Sequence, residues 1–154
     1  MKTSLFNDTI ENIRAAADII RDGGLVAFPT ETVYGLGADA LNSEAVSKVY
    51  AAKGRPSDNP MIVHIAETSE LAKLTDDISS DMRALMDAFW PGPMTMIVRR
   101  KDVVPDVTTG GLDTVGVRLP SSEVARTLIR ESGCPIAAPS ANISGRPSPT
   151  TAEH

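Results

Sequence analysis

The sequence is poor in cysteine and in aromatic residues. Among its 154 residues there is one cysteine, Cys134, and Phe, Trp and Tyr together make up 4%. A single cysteine excludes an intramolecular disulfide and any multi-cysteine zinc or iron-sulfur site. The shortage of aromatic rings argues against a stacking platform for single-stranded nucleic acid. Cys134 precedes Pro135 at the start of a predicted strand, where a packed, unreactive thiol is the favoured interpretation.

The chain also lacks an excess of basic residues and any long apolar run. Fifteen Lys and Arg face twenty Asp and Glu, which gives a net charge of -5. A broad basic face is therefore excluded, and any polyanion must be bound locally. No apolar run approaches the roughly 18 residues of a membrane-spanning helix, and residues 1–9 are polar rather than signal-like. We expect a cytoplasmic protein in which residues 1–154 form a single domain.

Several motifs of nucleotide and metal chemistry are missing. Gly35 and Gly37 lack the third glycine of a dinucleotide-binding loop, and there is no GxxxxGK[ST] phosphate loop. His64 and His154 are too far apart for an HExxH zinc site, and no GxSxG nucleophile elbow is present. The chain therefore carries neither a Rossmann cofactor site nor a Walker phosphate site.

Helical and strand-like periodicities alternate along the chain, which is typical of an α/β domain. The first helix is predicted to start with a capping box of Asp8 and Glu11 and to end at Gly23. We expect a three-layer α/β architecture, a twisted mixed sheet with helices on its faces. The other predicted helices cover residues 43–53, 71–74, 82–89 and 122–131, and the predicted strands cover residues 25–28, 61–65, 95–98, 115–119 and 136–138.

A polar loop is predicted over residues 28–40, FPTETVYGLGADA. It follows a core strand and contains Thr30, Glu31, Thr32 and Tyr34. Hydroxyl groups and glycines also make ordinary turns. So many hydrogen-bonding side chains directly after a buried strand nevertheless favour a ligand site.

Two cations flank Gly54 in the segment KGRPSDNP, residues 53–60. A helix macrodipole accounts for one cation at a helix C-terminus, but not for both Lys53 and Arg55. Two cations about 4 Å apart repel by about 4 kcal/mol at an effective dielectric constant near 20. Lys53 and Arg55 therefore either converge on an anion such as phosphate or point apart into water.

Two further polar residues lie within apolar strands. A lone strand histidine such as His64 is more often a core or edge residue than a catalyst. Arg118, in GVRLP, needs a partner, which is either a protein carboxylate such as Glu31 or a ligand carboxylate. The segment PSANISGRP, residues 139–147, adds hydroxyls and an amide after the last strand. Together these segments predict a ring of cationic and hydrogen-bonding groups.

Six motifs occur in a characteristic order between about residues 24 and 149: PTETVYGLG, KGRPxxNP, MIVHI, PGPMT, GVRLP and PSANxSG. In this the sequence resembles the YrdC-like threonylcarbamoyl-AMP synthases. The resemblance implies a large, concave, positively charged cavity and an enzyme that condenses L-threonine, bicarbonate and ATP, with Mg²⁺, into threonylcarbamoyl-adenylate and pyrophosphate. The product would pass to the machinery that transfers the threonylcarbamoyl group to tRNA position 37.

The resemblance also implies the roles of individual residues, and it implies no protein ligand for the magnesium ion. Lys53 and Arg55 are the candidate catalytic residues. The residues implied to bind L-threonine are Thr32, His64, Arg118 and Ala138. The residues implied to bind ATP are Lys53, Arg55, Asn59, Thr114, Ser140, Asn142 and Ser148.

Two alternative functions belong to other classes. One is a module that binds double-stranded RNA or tRNA, against which the net charge of -5 and the few aromatic residues argue. The other is a carbamoyl-transfer domain of the hydrogenase-maturation type, which the absence of zinc-finger cysteines disfavours. Domains of the synthase family normally continue with further strands, so we expect residues 1–154 to lack the C-terminal strands.

Overall fold

The structure is a computed structural model that describes residues 7–54 and 60–139. In these residues the helices are α1 (Ile10–Arg21), α2 (Ser43–Lys53), α3 (Ser80–Phe89), α4 (Asp106–Thr109) and α5 (Glu123–Ser132), and a 3₁₀ helix covers Thr68–Lys73. The strands are β1 (Val26–Phe28), β2 (Gly35–Asp39), β3 (Ile62–His64), β4 (Thr95–Arg99), β5 (Thr114–Arg118) and β6 (Ile136–Ala137).

Most helix ends follow the capping residues that the sequence indicates. Ser79 caps α3 and Ser122 caps α5, each accepting a hydrogen bond from the backbone N–H three residues ahead. Gly54 and Gly133 end α2 and α5 with φ angles of 63° and 69°, a left-handed conformation that costs glycine least.

The predicted capping box of α1 is wrong. The N-cap is Thr9, whose side chain accepts a hydrogen bond of 3.3 Å from the Asn12 N–H. Thr9 has extended backbone angles directly before Ile10, so its hydroxyl lies over the first helical turn. Asp8 is one residue too early for this position, and Glu11 is therefore not the third helical residue of a box that begins there.

Strand β2 is the largest departure from the predicted elements, because the sequence places residues 28–40 in one polar loop. Glycines weaken the sequence signal of a strand. Here they allow close packing instead: a Cβ on Gly37 would lie 2.6 Å from Ile136 Cγ2 and 2.7 Å from Phe28 Cε1. Gly35 and Gly37 thus let β2 pass directly beside Phe28 and Ile136.

The six strands form one mixed sheet in the order β1-β2-β6-β3-β5-β4. Strands β3 and β5 are parallel, and the other neighbouring pairs are antiparallel. The predicted mixed sheet is therefore confirmed. The register places His64 beside Arg118 and Val63 beside Val117.

The sheet is covered by helices on both faces. Val63 and Val117 lie in one buried cluster with Val46 and Val49 of α2. On the other face, helices α1 and α5 pack over Phe28 of β1 and Ile136 of β6. Because side chains alternate along a strand, His64 and Arg118 lie on the face opposite α2. On this face the Ile97 side of the sheet is open, since Ile97 is 59% exposed.

The packing of β2 predicts unequal effects of two glycine substitutions. Gly37→Ala should lower the free energy of unfolding by about 1 to 3 kcal/mol, because the new methyl group overlaps Ile136 and Phe28. Gly116→Ala is the matched control, because its Cβ would lie no closer than 3.2 Å to a neighbouring atom: 3.2 Å from Thr95, 3.3 Å from Ile97 and 3.9 Å from Ile62. Urea denaturation of both variants tests this, and equal stabilities would contradict the packing account.

Candidate functional site

The candidate site is built around a buried positive charge. Arg118 is the last residue of β5 and is 8% exposed. Its Nη2 donates to Glu31 Oε1, and its Nε donates to the carbonyl oxygen of Gly92 at 3.3 Å. Burial lowers the pKa of the guanidinium, but arginine remains protonated at neutral pH. Of the two partners that the sequence allows for Arg118, the structure shows the protein carboxylate.

Glu31 binds more than Arg118. Its Oε2 accepts hydrogen bonds from the backbone N–H of Ser121 at 2.5 Å and from the Ser121 hydroxyl at 2.6 Å. The Glu31 and Arg118 side chains are 20% and 10% exposed, so the pair is largely shielded from water. Removing Glu31 would therefore leave the buried guanidinium without its counter-charge.

The segment from residue 29 to residue 34, here called the hydroxyl loop, has hydrogen bonds within itself and to the start of α5. Thr30 Oγ1 donates to the Val33 carbonyl at 2.6 Å, accepts from the Thr32 N–H at 3.2 Å and lies 3.0 Å from Thr32 Oγ1. The Ser122 hydroxyl donates to the Pro29 carbonyl at 3.2 Å. Thr32 therefore lies in an ordered turn next to Glu31.

His64 lies beside Arg118 and carries no charge at neutral pH. The residue is 4% exposed, and burial lowers its pKa to about 4. Its Nδ1 lies 3.3 Å from the Ile136 carbonyl oxygen, and the Phe28 ring meets the imidazole edge-on with centroids 5.9 Å apart. A neutral imidazole offers hydrogen bonds to a ligand without adding charge, so the positive charge at this place belongs to Arg118.

Ala138 lies beside Gly35, the residue that follows the hydroxyl loop, and Thr114 lies at the end of β5 away from Arg118. Ala138 is buried, and its N–H donates to the Ile62 carbonyl at 2.9 Å, at the start of β3. Thr114 is exposed at the start of β5. It shares a sheet face with Arg118 and lies about 13 Å from it at about 3.3 Å per residue.

Lys53 is a second buried cation. It is the last residue of α2 and is 4% exposed. Helix α2 ends at Gly54, and the chain then leads to the start of β3. Lys53 and Arg118 are thus both shielded from solvent, whereas most lysine and arginine side chains in proteins are exposed.

Five predicted site residues fall outside the described ranges 7–54 and 60–139: Arg55, Asn59, Ser140, Asn142 and Ser148. The convergence of Lys53 and Arg55 on an anion stays a prediction. The predicted ring of polar groups is therefore described only in part. The structure brings together the hydroxyl loop, His64 and Arg118 at one end of β3 and β5, whereas Thr114 lies at the other end of β5.

Sequence reasoning misses two contributors to the Arg118 environment. From the sequence, Ser121 is only an alternative cap of α5, but Ser122 caps the helix and Ser121 binds Glu31. The Gly92 carbonyl belongs to a turn after α3, where the sequence indicates only the end of the helix. A backbone carbonyl leaves no residue-type signal, so pattern reasoning has no means to find it.

Other features of the described residues do not add to this site. A groove of about 550 Å³ is lined by residues of another region, Ser43, Ser47, Arg100, Asp102, Val104, Pro105, Asp106 and Val107. Among residues 7–54 and 60–139 no cluster of three or more His, Cys, Asp or Glu could hold a metal ion, and no helix is long and apolar enough to cross a membrane. Burial and the neighbouring Asp39 raise the pKa of Cys134 to about 12, in keeping with the expected unreactive thiol.

The described geometry defines a class of protein: an α/β domain that presents a buried arginine and a neutral histidine side by side beneath a hydroxyl-rich loop. A guanidinium in such a place is suited to a small ligand that carries a carboxylate. The Sua5_yciO_yrdC family model, described as telomere recombination, matches residues 18–154. The chain belongs to this family.

Relatives and solved structures agree with this assignment. The threonylcarbamoyl-AMP synthase of Pyrococcus abyssi is 58% identical over 142 residues, covering 92% of this chain and 42% of that protein. The threonylcarbamoyl-AMP synthase of Bacillus subtilis is 57% identical over 143 residues, covering 92% of this chain and 41% of that protein. The crystal structure of P. abyssi Sua5 complexed with L-threonine has a TM-score of 0.93 and 57% identity, covering 95% of this chain and 43% of the other. The chain thus spans about two fifths of the length of these relatives.

The buried histidine predicts a specific pH dependence of stability. The unfolded chain takes up a proton on His64 near pH 6.5, whereas the folded chain takes it up only near pH 4. Acidification through this window favours the unfolded state, so His64 should lower the free energy of unfolding by about 2 kcal/mol between pH 7 and pH 5. Urea denaturation at both pH values should show a smaller loss for His64→Gln than for the parent chain. Equal losses would contradict the buried, neutral state of His64.

Proposed function

We propose that this chain provides the catalytic domain of a threonylcarbamoyl-AMP synthase. The observation that carries the proposal is the buried Arg118 beside neutral His64, in a chain 57% identical to a protein whose crystal structure contains L-threonine. The guanidinium would bind the carboxylate of L-threonine, and the hydroxyl loop with His64 would surround its side chain. Ala138 would line the same pocket through its backbone.

The reaction needs no protein nucleophile. The neutral threonine amine attacks carbon dioxide derived from bicarbonate, a C–N bond forms, and the amine proton and the hydroxide from bicarbonate leave as water, which gives a carbamate. A carbamate oxygen then attacks the α-phosphorus of ATP, a new P–O bond forms, and the bond to the departing pyrophosphate breaks. The protein therefore acts by holding the reactants in line and by stabilising charge.

The nucleotide would occupy the end of β3 and β5 that lies away from Arg118. Thr114 lies at this end, at the start of β5. The family resemblance assigns Lys53, at the end of α2, to the same ligand. We assign Mg-ATP to these two residues together with Arg55, Asn59, Ser140, Asn142 and Ser148. Lys53 and Arg55 would counter the charge that develops as pyrophosphate leaves, with the magnesium ion brought in by ATP.

The relatives favour this function over the two alternatives considered from the sequence. Both the P. abyssi and the B. subtilis protein carry the name threonylcarbamoyl-AMP synthase at 57–58% identity. Neither name refers to RNA binding or to hydrogenase maturation. We further propose that the adenylate product passes to a tRNA-modifying transferase in the cytoplasm.

The first test is the substrate requirement for pyrophosphate release. With Mg-ATP present, the 154-residue chain should release pyrophosphate only when both L-threonine and bicarbonate are added, because the attacking oxygen belongs to their carbamate. A coupled pyrophosphate assay with each substrate omitted in turn measures this. Release that is independent of threonine would exclude the proposed reaction, and salt-sensitive RNA binding without any release would favour the RNA-binding alternative.

The second test concerns the side chain of the amino acid. Serine should bind about 10- to 200-fold more weakly than threonine, because it lacks one methyl group. Valine preserves the shape but leaves buried hydrogen-bonding groups such as His64 without a partner, so it should bind about 10⁴-fold more weakly. Titration calorimetry with the three amino acids measures the ratios. If valine bound as tightly as threonine, the threonine hydroxyl would make no contribution to recognition, contrary to this prediction.

A further inference from the structure

Glu31 makes more contacts than a simple charge partner of Arg118 requires. Its two carboxylate oxygens accept from three donors: Arg118 Nη2, the Ser121 N–H and the Ser121 hydroxyl. We propose that Glu31 is a positioning residue that stays bonded to Arg118 while the substrate binds, and that it orients the guanidinium towards the carboxylate of L-threonine. This inference rests on the proposed function and concerns how the same site recognises its amino acid.

Arg118 has donors to spare for a ligand. A guanidinium carries five N–H groups, and in the described residues two hydrogen bonds to protein oxygens are found, at Nε and Nη2. The remaining N–H groups, including both on Nη1, can bind a second carboxylate in a forked arrangement. Substrate binding therefore does not require Glu31 to leave.

The two protein oxygens also fix the plane of the guanidinium. Gly92 holds Nε from the turn after α3, and Glu31 holds Nη2 from the hydroxyl loop. A free arginine side chain has several rotamers, and ordering it on binding would cost conformational entropy. With the plane already fixed, the remaining N–H groups point in one direction before the ligand arrives.

Glu31 further links the cation to the hydroxyl loop. Its bonds to Ser121 hold it at the start of α5, and the Ser122 hydroxyl binds the Pro29 carbonyl at the beginning of the same loop. Thr32 is the next residue along the chain from Glu31. One set of contacts therefore holds both the Arg118 guanidinium, which would bind the substrate carboxylate, and the hydroxyl loop, which is expected to face the substrate side chain.

The opposite arrangement would be a latch, in which Glu31 occupies the position of the substrate carboxylate and must be displaced. The contacts disfavour it. Displacement would leave the N–H and the hydroxyl of Ser121, as well as the Glu31 carboxylate, whose side chain is 20% exposed, without their present partners. The two arrangements predict opposite effects of removing the carboxylate.

The test compares Glu31→Gln with a matched control, Glu67→Gln. Glu67 also accepts from an arginine, Arg130, at 3.0 Å, but this pair is exposed and lies outside the site. In the pyrophosphate assay we expect Glu31→Gln to raise the KM for threonine about 10- to 100-fold and to leave the KM for ATP unchanged. Glu67→Gln should leave both values as in the parent chain, and Glu31→Ala should have the same selectivity as Glu31→Gln with a larger effect.

A second measurement follows the contact itself, without catalysis. Amide hydrogen exchange of Ser121 should be slow in the parent chain, remain slow with saturating L-threonine, and become faster in Glu31→Gln. This readout also serves if Glu31→Ala does not fold. Faster exchange on adding threonine would mean that Glu31 is displaced, which overturns the proposal.

The remaining outcomes separate this inference from the proposed function. Tighter threonine binding by Glu31→Gln would favour the latch, and values equal to those of Glu67→Gln would mean that Glu31 does not position Arg118. An equal rise of both KM values would indicate a general structural role instead. If the parent chain neither binds threonine nor releases pyrophosphate, the proposed function fails, although the Ser121 exchange would still report the Glu31 contact.

Discussion

A positive charge buried at the end of a strand is the constraint around which this domain is arranged. Arg118 is 8% exposed and cannot lose its proton at neutral pH, so the fold must surround it with acceptors. Glu31 supplies the counter-charge and the Gly92 carbonyl a second acceptor. The need for these partners explains why a loop after β1, a turn after α3 and the start of α5 meet at this point.

The pairing of the strands places the residues around Arg118 on one face of the sheet, where they can form a binding surface. The parallel pairing of β3 with β5 places His64 next to Arg118, and alternation puts Val63 and Val117 into the core beneath them. One face of two short strands thus carries a cation and a neutral hydrogen-bonding ring, while the other face stabilises the fold. In a chain with a net charge of -5, the described part of the site thus combines a buried ion pair with a neutral ring instead of a broad basic face.

The sequence predicts the described helices except the short α4, most strands and several caps, because apolar periodicity and capping residues are local signals. Strand β2 is not predicted because Gly35 and Gly37 are typical of a loop. Only the structure shows that glycine is needed there, since Phe28 lies directly beside them. Glu31 is one of two possible partners of Arg118 in the sequence, since a pattern shows that a buried charge needs compensation but not which group provides it. Sheet order and register depend on long-range packing. The family resemblance therefore predicts that His64 lies near Arg118, whereas residue spacing alone does not.

The most direct measurement is a crystal structure of this chain with L-threonine bound at neutral pH. We predict that the substrate carboxylate lies within hydrogen-bonding distance of the Arg118 guanidinium, with Glu31 still bonded to the same guanidinium and His64 lining the pocket. A threonine bound away from Arg118, or one whose carboxylate has replaced that of Glu31, would contradict the central claim.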